Sequence, residues 1–265
     1  MQDFQFKDKY DAYDLVKIMQ LLRAPGGCPW DAEQTHQSIK KNLIEETYEV
    51  IEAINKDDKA LMCEELGDLL MQVVFHALME QESGVFDFDD VADGVCKKLI
   101  ERHPHVFGEV SVSGVDDVLT NWDAIKRKSK GQKTTTESML SVPRELPALM
   151  RATKLQKKAA DVGFDWSDAS GALDKVDEEA AELRAAVANQ DKENIAEELG
   201  DLLFSAVNVS RFVKVDAEEA LTAASDKFLS RFTEVERMAA ERGIDMKTAG
   251  IETLDRLWDE AKFQK

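Results

Sequence analysis

The sequence predicts an all-α protein made of two tandem helical-bundle domains. Apolar residues recur at helical spacing along most of the 265 residues, whereas the strict alternation typical of strands is essentially missing. Only 5 Pro and 13 Gly are present, which disfavours a turn-rich all-β protein. A long segment also occurs twice, so each copy is expected to form a bundle of its own.

The duplication is clearest in the acidic segments. EELGDLL stands at 64–70 and again at 197–203, an offset of 133 that also relates the acids of 45–49 to those of 178–182. Two further blocks recur at slightly different offsets, namely Lys98/Arg102 with Lys227/Arg231 and Trp122/Lys126 with Trp258/Lys262. The Lys-, Ser- and Thr-rich stretch between the copies predicts a linker at 129–141, which places the two domains at 1–128 and 142–265.

Caps and breaks bound the expected helices of the first copy. Asp57-Asp58 caps a second helix that Ser83-Gly84 ends, and His103-Pro104 ends the third. The other expected helices are Asp31–Asn55, Asp87–Arg102 and Asp116–Lys128 in the first copy, then Arg144–Asp161, Ser167–Asn189, Asp191–Lys214, Asp216–Arg242 and Ile251–Phe263 in the second. Short connections between neighbours predict antiparallel packing.

Charge and composition exclude several classes of function. With 53 acidic against 34 basic residues, the net charge of −19 makes duplex nucleic acid a poor partner. There is no run of about 18 apolar residues, so no membrane span is expected. The polar N-terminus does not resemble a secretory signal, and the three cysteines are unclustered, as is typical of reduced thiols. A cytoplasmic location is therefore expected.

The repeated acids predict a metal centre in each copy. Residues three or four apart share a helix face, so carboxylates from two neighbouring helices converge at the edge of their seam. Converging carboxylates repel one another, and oxygen-only ligands suit Mg²⁺, with Mn²⁺ as a substitute. The expected ligands are Glu46, Glu49, Glu65 and Asp68 in the first copy, and Glu179, Glu182, Glu198 and Asp201 in the second. The alternative is a solvated acidic helix face, but the acids are kept in both copies while neighbouring positions differ.

The repeated basic and aromatic residues suggest contacts with a phosphate chain. Lys98/Arg102 and Lys227/Arg231 each share a helix face, and Arg can grip two phosphate oxygens at once. Trp258 with Lys262, and Trp122 with Lys126, would stack on a base and meet phosphate. The alternatives are surface ion pairs for the basic residues and core packing for the tryptophans. Trp30 and Trp166 would line a base pocket or plug the end of a bundle.

Two other motifs carry weaker expectations. Glu33-Gln-Thr-His36 is an ExxH of the kind found in di-iron bundles, but those need two such motifs and the second copy has none. His103 and His105 are likewise absent from the second copy, which favours a structural role. The turn at Gly26-Gly27 lacks the P-loop pattern.

The ordered set of motifs resembles the MazG family of nucleoside triphosphate pyrophosphohydrolases. The likeness rests on GCPWDAEQTH at 27–36, the two acidic motifs, KKLIERHPHVFGEV at 97–110, and the matching set in the second copy that ends at Trp258–Lys262. It covers nearly the whole chain, tandem arrangement included. A lone EExxE is weak evidence, whereas the ordered set occurring twice is specific.

The resemblance implies a mechanism and a division of labour. It implies an all-α fold, a homodimer, and Mg²⁺-dependent cleavage of nucleoside triphosphates between the α- and β-phosphates to give the monophosphate and pyrophosphate. By this likeness Glu178 or Glu45 orients or deprotonates the attacking water, Glu179 belongs to the catalytic acids, and phosphates are met by Lys175, Lys227, Arg231 and Lys262. In similar two-copy members the C-terminal copy tends to carry the activity, and Lys175 has Asn42 as its counterpart here.

Two other functions remain open from the sequence. One is a non-enzymatic acidic helical adaptor that dimerises, for which loss of the acids would be harmless. The other is a relative acting on a single nucleotide, such as dUTP or phosphoribosyl-ATP. Comparison of rates across substrates would separate the second from a broad triphosphate hydrolase.

Overall fold

The computed structural model describes residues 4–263. Every regular element among these residues is a helix, and none is a strand. This confirms the all-α prediction. The chain divides into two compact units at 126/127, which we call unit 1 and unit 2. No helix among the described residues is long and apolar enough to cross a membrane.

Unit 1 is built around a pair of helices joined by a short turn. Asp58 caps the second of them by accepting from the backbone N–H groups of Ala60 and Leu61, as expected from the sequence. Asp57 just before it takes a left-handed φ of 53°. The helices are α1 (Ala12–Arg23), α2 (Pro29–Glu33), α3 (Lys40–Asn55), α4 (Lys59–Glu82), α5 (Phe88–Arg102), α6 (Pro104–Phe107) and α7 (Val115–Ser129), which ends three residues beyond the boundary between the units.

Unit 2 repeats this plan. Asp191 caps its second central helix through the N–H of Asn194, and Gln190 takes the left-handed φ of 57° at the position equivalent to Asp57. The helices are α8 (Thr135–Leu140), α9 (Ala148–Ala160), α10 (Ala169–Asn189), α11 (Lys192–Phe212), α12 (Ala217–Glu241) and α13 (Ile251–Ala261). α3 packs on α4, and α10 packs on α11.

Some predicted boundaries differ from the structure. The helix expected over Asp31–Asn55 is two helices, because Thr35 and Ser38 exchange side-chain to backbone hydrogen bonds at 2.9 and 3.2 Å and form a turn instead. The stretch 129–141, predicted as a linker, contains α8, which packs on α9. The domain boundaries themselves stay a prediction.

The apolar core is smaller than the sequence pattern suggests. Val74 and Ala77 of α4 are buried, but Leu66 on the same helix is 48% exposed. Unit 1 has its main cluster between α1 and α4, with Met19, Phe75 and Leu78 at its centre. Unit 2 has a cluster where α12 meets α13. Each unit therefore leaves a substantial apolar surface on its central helices.

Candidate functional site

The carboxylates of unit 2 converge where α10 packs on α11. Carboxylate oxygens of Glu179, Glu198 and Asp201 lie within 4.8 Å of one another, and so do those of Glu178, Glu179 and Glu182. Glu179 belongs to both groups and is 7% exposed. The structure thus brings all four predicted ligands of unit 2, together with Glu178, to one place. We call these five residues the unit 2 acidic cluster.

Lys175 supplies the positive charge at one edge of this cluster. Its ammonium lies 2.7 Å from Glu179 Oε1 and 2.9 Å from Glu178 Oε1, one helical turn further along α10. Hydrogen bonds to these two carboxylates raise the pKa of Lys175, so it stays protonated. The pKa of Glu198 is raised, first by desolvation and then by repulsion from Glu182, Glu179 and other acids. The cluster therefore holds more negative charge than Lys175 alone offsets.

Unit 1 has a similar but less complete arrangement. Oxygens of Glu46, Glu49 and Glu65 lie within 4.8 Å of one another, and Asp68 falls outside that group. Desolvation, followed by repulsion from Asp68 and Glu49, raises the pKa of Glu46. The pKa of Glu65 is raised by desolvation first and then by repulsion from Glu49 and other acids.

The residues that surround the two clusters differ. Where unit 2 has the cation Lys175, unit 1 has the neutral Asn42. Glu46 instead accepts a hydrogen bond from Gln72 Nε2 at 3.4 Å, and the unit 2 counterpart of Gln72 is Ser205. Glu45 is exposed on α3. The sequence comparison identified Lys175, but it did not identify Gln72, since that residue lies outside the shared motifs.

The donor set of unit 2 fits a hard divalent cation. Glu179, Glu182, Glu198 and Asp201 offer only carboxylate oxygens, which Mg²⁺ and Mn²⁺ prefer. Carboxylates this close repel one another when ionised, and desolvation followed by that repulsion raises the pKa of Glu198; a divalent cation relieves the repulsion.

The predicted basic and aromatic residues form a separate group in unit 2. The guanidinium of Arg231 lies 5.9 Å from the centroid of the Trp258 ring, and Phe228 packs on the same ring at 5.2 Å. Lys262 bonds Asp259 at 2.7 Å, while Lys227 is exposed on α12. Among residues 4–263, no ion pair joins Lys227, Arg231 or Lys262 to the unit 2 acidic cluster.

The same Arg–Trp pairing occurs in unit 1. Arg102 lies 5.3 Å from the centroid of the Trp122 ring, and His103 contacts that ring edge-on at 4.9 Å. Lys126 follows one turn later on α7 and is half-buried. The contact of His103 with Trp122 agrees with its expected structural role.

The ExxH motif does not form a di-iron arrangement. His36 Nδ1 lies 2.7 Å from His76 Nδ1, and His36 Nε2 lies 2.8 Å from Glu80 Oε1. Its partners are therefore on α4, and Glu33 is not among them in the described part of the chain.

Unit 2 contains a cavity of about 470 Å³ that the sequence motifs do not predict. It is bordered by α8, α9, α11 and the segment 163–166, and Trp166 is the one lining residue that had been proposed for a base pocket. The polar residues Gln156, Asn208 and Arg211 also line it. For Asn208 and Arg211, the signal that would have identified them is the alignment of α11 with α4 at an offset of 133, which pairs them with the apolar Phe75 and Leu78.

Comparison with known proteins agrees with the duplication and with the motifs. The model of the MazG nucleotide pyrophosphohydrolase domain matches residues 34–107 and again 170–235. A nucleoside triphosphate pyrophosphohydrolase of Escherichia coli (strain K12) is 47% identical over 256 residues, which cover 95% of this chain and 97% of that protein.

Two further relatives extend the comparison. A nucleoside triphosphate pyrophosphohydrolase/pyrophosphatase MazG of Thermotoga maritima is 45% identical over 249 residues, covering 94% of each chain. An uncharacterised protein of Bacillus subtilis, YabN, is 50% identical over 248 residues, which make up 92% of this chain and 50% of that protein. The family model matches twice and the relatives align over nearly the full length, so the chain belongs to the MazG family of nucleotide pyrophosphohydrolases.

Proposed function

We propose that this protein is a Mg²⁺-dependent nucleoside triphosphate pyrophosphohydrolase of the cytoplasm. It cleaves its substrate between the α- and β-phosphates and releases the monophosphate and pyrophosphate. The observation that carries the proposal is the unit 2 acidic cluster, in which five carboxylates and Lys175 meet at one helix seam. The names of the relatives from E. coli and T. maritima support the same reaction class.

The acids of the unit 2 acidic cluster have two roles, namely metal binding and proton acceptance. Glu179, Glu182, Glu198 and Asp201 would hold Mg²⁺, with Mn²⁺ as a substitute. When bound there, the ion would neutralise phosphate oxygens and lower the pKa of water. Glu178 is exposed at the edge of the cluster and accepts the proton of the attacking water. In unit 1, Glu46, Glu49, Glu65 and Asp68 form the corresponding set, and unit 2 carries the activity.

The basic residues bind and orient the phosphate chain. Lys175 stays protonated beside Glu178 and Glu179, so it donates hydrogen bonds to phosphate oxygens. Arg231 is held against Trp258 and presents a planar guanidinium to a second phosphate, while Lys227 and Lys262 add charge. Lys126 has the corresponding place in unit 1. Such fixed donors stabilise charge that develops on the leaving pyrophosphate.

The reaction products test the proposal. The protein is incubated with ATP, CTP, GTP or UTP and Mg²⁺, and the products are separated by anion-exchange chromatography. The proposal predicts equal amounts of monophosphate and pyrophosphate, with no turnover in EDTA. Release of inorganic phosphate with the diphosphate, or no turnover of any nucleotide, would reject it. The second result would instead favour the non-enzymatic adaptor.

A homodimer is part of the proposal. Large apolar side chains are exposed in the single chain, among them Leu66 of α4 at 48%, Leu203 of α11 at 50% and Phe228 of α12 at 58%. Exposed apolar patches of this kind mark interaction surfaces. A second copy of the chain covers them, and sedimentation equilibrium should give twice the chain mass of 29.7 kDa. A monomer at micromolar concentration would contradict the dimer.

A further inference from the structure

The cavity in unit 2 has the size and composition of a small-molecule site. Its volume of about 470 Å³ falls within the roughly 300–1,000 Å³ typical of ligand pockets. Phe164, Trp166 and Phe204 supply aromatic walls, which favour flat rings. The cavity lies between α9 and α11 and uses none of the acidic residues described above.

Two amide side chains give the cavity a polar edge. Gln156 is 7% exposed, and its Nε2 donates to the backbone oxygen of Phe204 at 2.8 Å, while its Oε1 has no hydrogen-bond partner among the described residues. Leaving a buried acceptor without a donor costs about 1–3 kcal/mol, so a ligand N–H group at this wall would be favoured.

The second amide is held in a defined orientation. Asn208 Oδ1 accepts from Arg211 Nε at 3.2 Å and from Nη2 at 2.9 Å, which makes Nδ2 the donor end of that side chain. Arg211 is itself fixed by its ion pair with Asp165. The cavity wall therefore carries an acceptor on Gln156 and a donor on Asn208, the pair of groups that reads a nucleobase edge.

The position of the cavity relative to the acidic cluster suits a nucleotide. Asp201, Ser205 and Asn208 follow one another on α11 at spacings of four and three residues, so they lie along one face. Seven residues of helix span about 10 Å. At that spacing, a ligand whose phosphates are held at Asp201 would reach Asn208 with its base.

In unit 1 the equivalent place is filled by side chains. The offset of 133 that aligns α4 with α11 pairs Phe75 with Asn208 and Leu78 with Arg211. Phe75 and Leu78 are 3% and 5% exposed and belong to the unit 1 core. At an offset of 136, Ala159 of the cavity corresponds to Arg23, whose guanidinium lies 5.3 Å from the centroid of the Phe75 ring.

From this contrast we infer that the unit 2 cavity binds the base of the triphosphate substrate, with Gln156 and Asn208 contacting the base edge. We also infer that Phe75, Leu78 and Arg23 close the same place in unit 1 to nucleosides. The inference rests on the proposed function, because it assigns the base-binding part of that substrate site. The face of Trp258 is already covered by Arg231 and Phe228, which makes it a weaker place for the base.

The test transfers the unit 1 residue into unit 2. Asn208→Phe places in the cavity the side chain that fills unit 1, and Gln156→Leu removes the amide with little change in volume. Thr222→Phe, at an exposed position of α12 outside the cavity, is the matched control. For each protein, kcat/KM is measured with ATP, CTP, GTP and UTP, and the Mg²⁺-induced rise in Tm reports whether the acidic cluster is intact.

The expected results separate the two proposals. Asn208→Phe should lower kcat/KM for the preferred nucleotide by at least about tenfold, mainly through KM, while the control stays within about twofold. Gln156→Leu should change the ratio of kcat/KM among the four nucleotides at least about threefold. If the wild type hydrolyses triphosphates and both cavity variants keep its constants within twofold, the cavity does not bind the base. If the wild type hydrolyses none, the proposed function itself fails. Should Asn208→Phe not fold, Gln156→Leu alone decides between these outcomes.

Discussion

Truncation of Phe75 should destabilise unit 1 strongly, whereas truncation of its counterpart Asn208 should not. Phe75 is 3% exposed and packs among Met19, Leu78 and other apolar side chains. Phe→Ala changes in such cores cost about 3–5 kcal/mol. Loss of the contact with the Arg23 guanidinium adds about 0.5–1 kcal/mol.

The matched variant in unit 2 faces the cavity instead of a packed core. Asn208→Ala removes hydrogen bonds from Arg211 and creates little new empty volume, so a loss of about 1 kcal/mol is expected. The difference between the two variants is therefore about 2.5–5 kcal/mol in unfolding free energy. This difference is expected because Phe75 fills its place in the unit 1 core, whereas Asn208 at the equivalent position lines an open cavity.

Urea unfolding monitored by circular dichroism measures both values. Unit 1 and unit 2 are separate compact bodies, so two transitions are expected and each is fitted by itself. Phe75→Ala should lower the midpoint of one transition and leave turnover of the folded protein within about twofold. Equal destabilisation by the two variants would refute the conclusion that unit 1 is closed where unit 2 is open.

Two further predictions concern charges in unit 2. Lys175→Met removes the cation between Glu178 and Glu179, so the Tm measured in EDTA should fall. Added Mg²⁺ should then raise the Tm more than it does in the wild type. An equal rise in Tm in the two proteins would contradict this role of Lys175. Hydrogen bonds from Arg211 hold the pKa of Asp165 below its usual range, so this pair contributes stability at pH 7 that is lost as the pH falls through that lowered pKa. With allowance for solvent screening, Asp165→Asn should therefore lower the free energy of unfolding by about 1 kcal/mol at pH 7 and by less near pH 3. Urea unfolding at the two pH values measures this, and a loss that does not depend on pH would contradict the prediction.

The acidic clusters could be predicted because the acids are the same in both copies of the duplicated segment, whereas neighbouring residues differ. Glu179, Glu182, Glu198 and Asp201 occur at a constant offset from their first-copy partners, and helical spacing alone places them on facing surfaces. In unit 1 the same pattern predicts Asp68 as a ligand, yet it lies outside the group of carboxylates within 4.8 Å of one another. Spacing fixes a helix face, but not how far a side chain reaches across the seam.

Other features depend on tertiary packing. The break before α3 follows from local hydrogen bonds of Thr35 and Ser38, which compete with a helix that apolar periodicity favours. The exposure of Leu66 follows from an apolar stripe wider than one chain can bury. The cavity depends on the size difference between Ala159 and Arg23 at equivalent positions. The effect of that difference cannot be read from the sequence, because it depends on how the neighbouring helices pack.

The most direct test of the account compares one aspartate from each unit. Asp201→Asn removes a carboxylate from the unit 2 acidic cluster, and Asp68→Asn makes the same change at the equivalent position of unit 1. Monophosphate and pyrophosphate production from a nucleoside triphosphate with Mg²⁺ is measured for both and for the wild type. The account predicts at least about a hundredfold loss of kcat for Asp201→Asn and a change within about twofold for Asp68→Asn. Equal losses in the two variants, or full activity in Asp201→Asn, would contradict it.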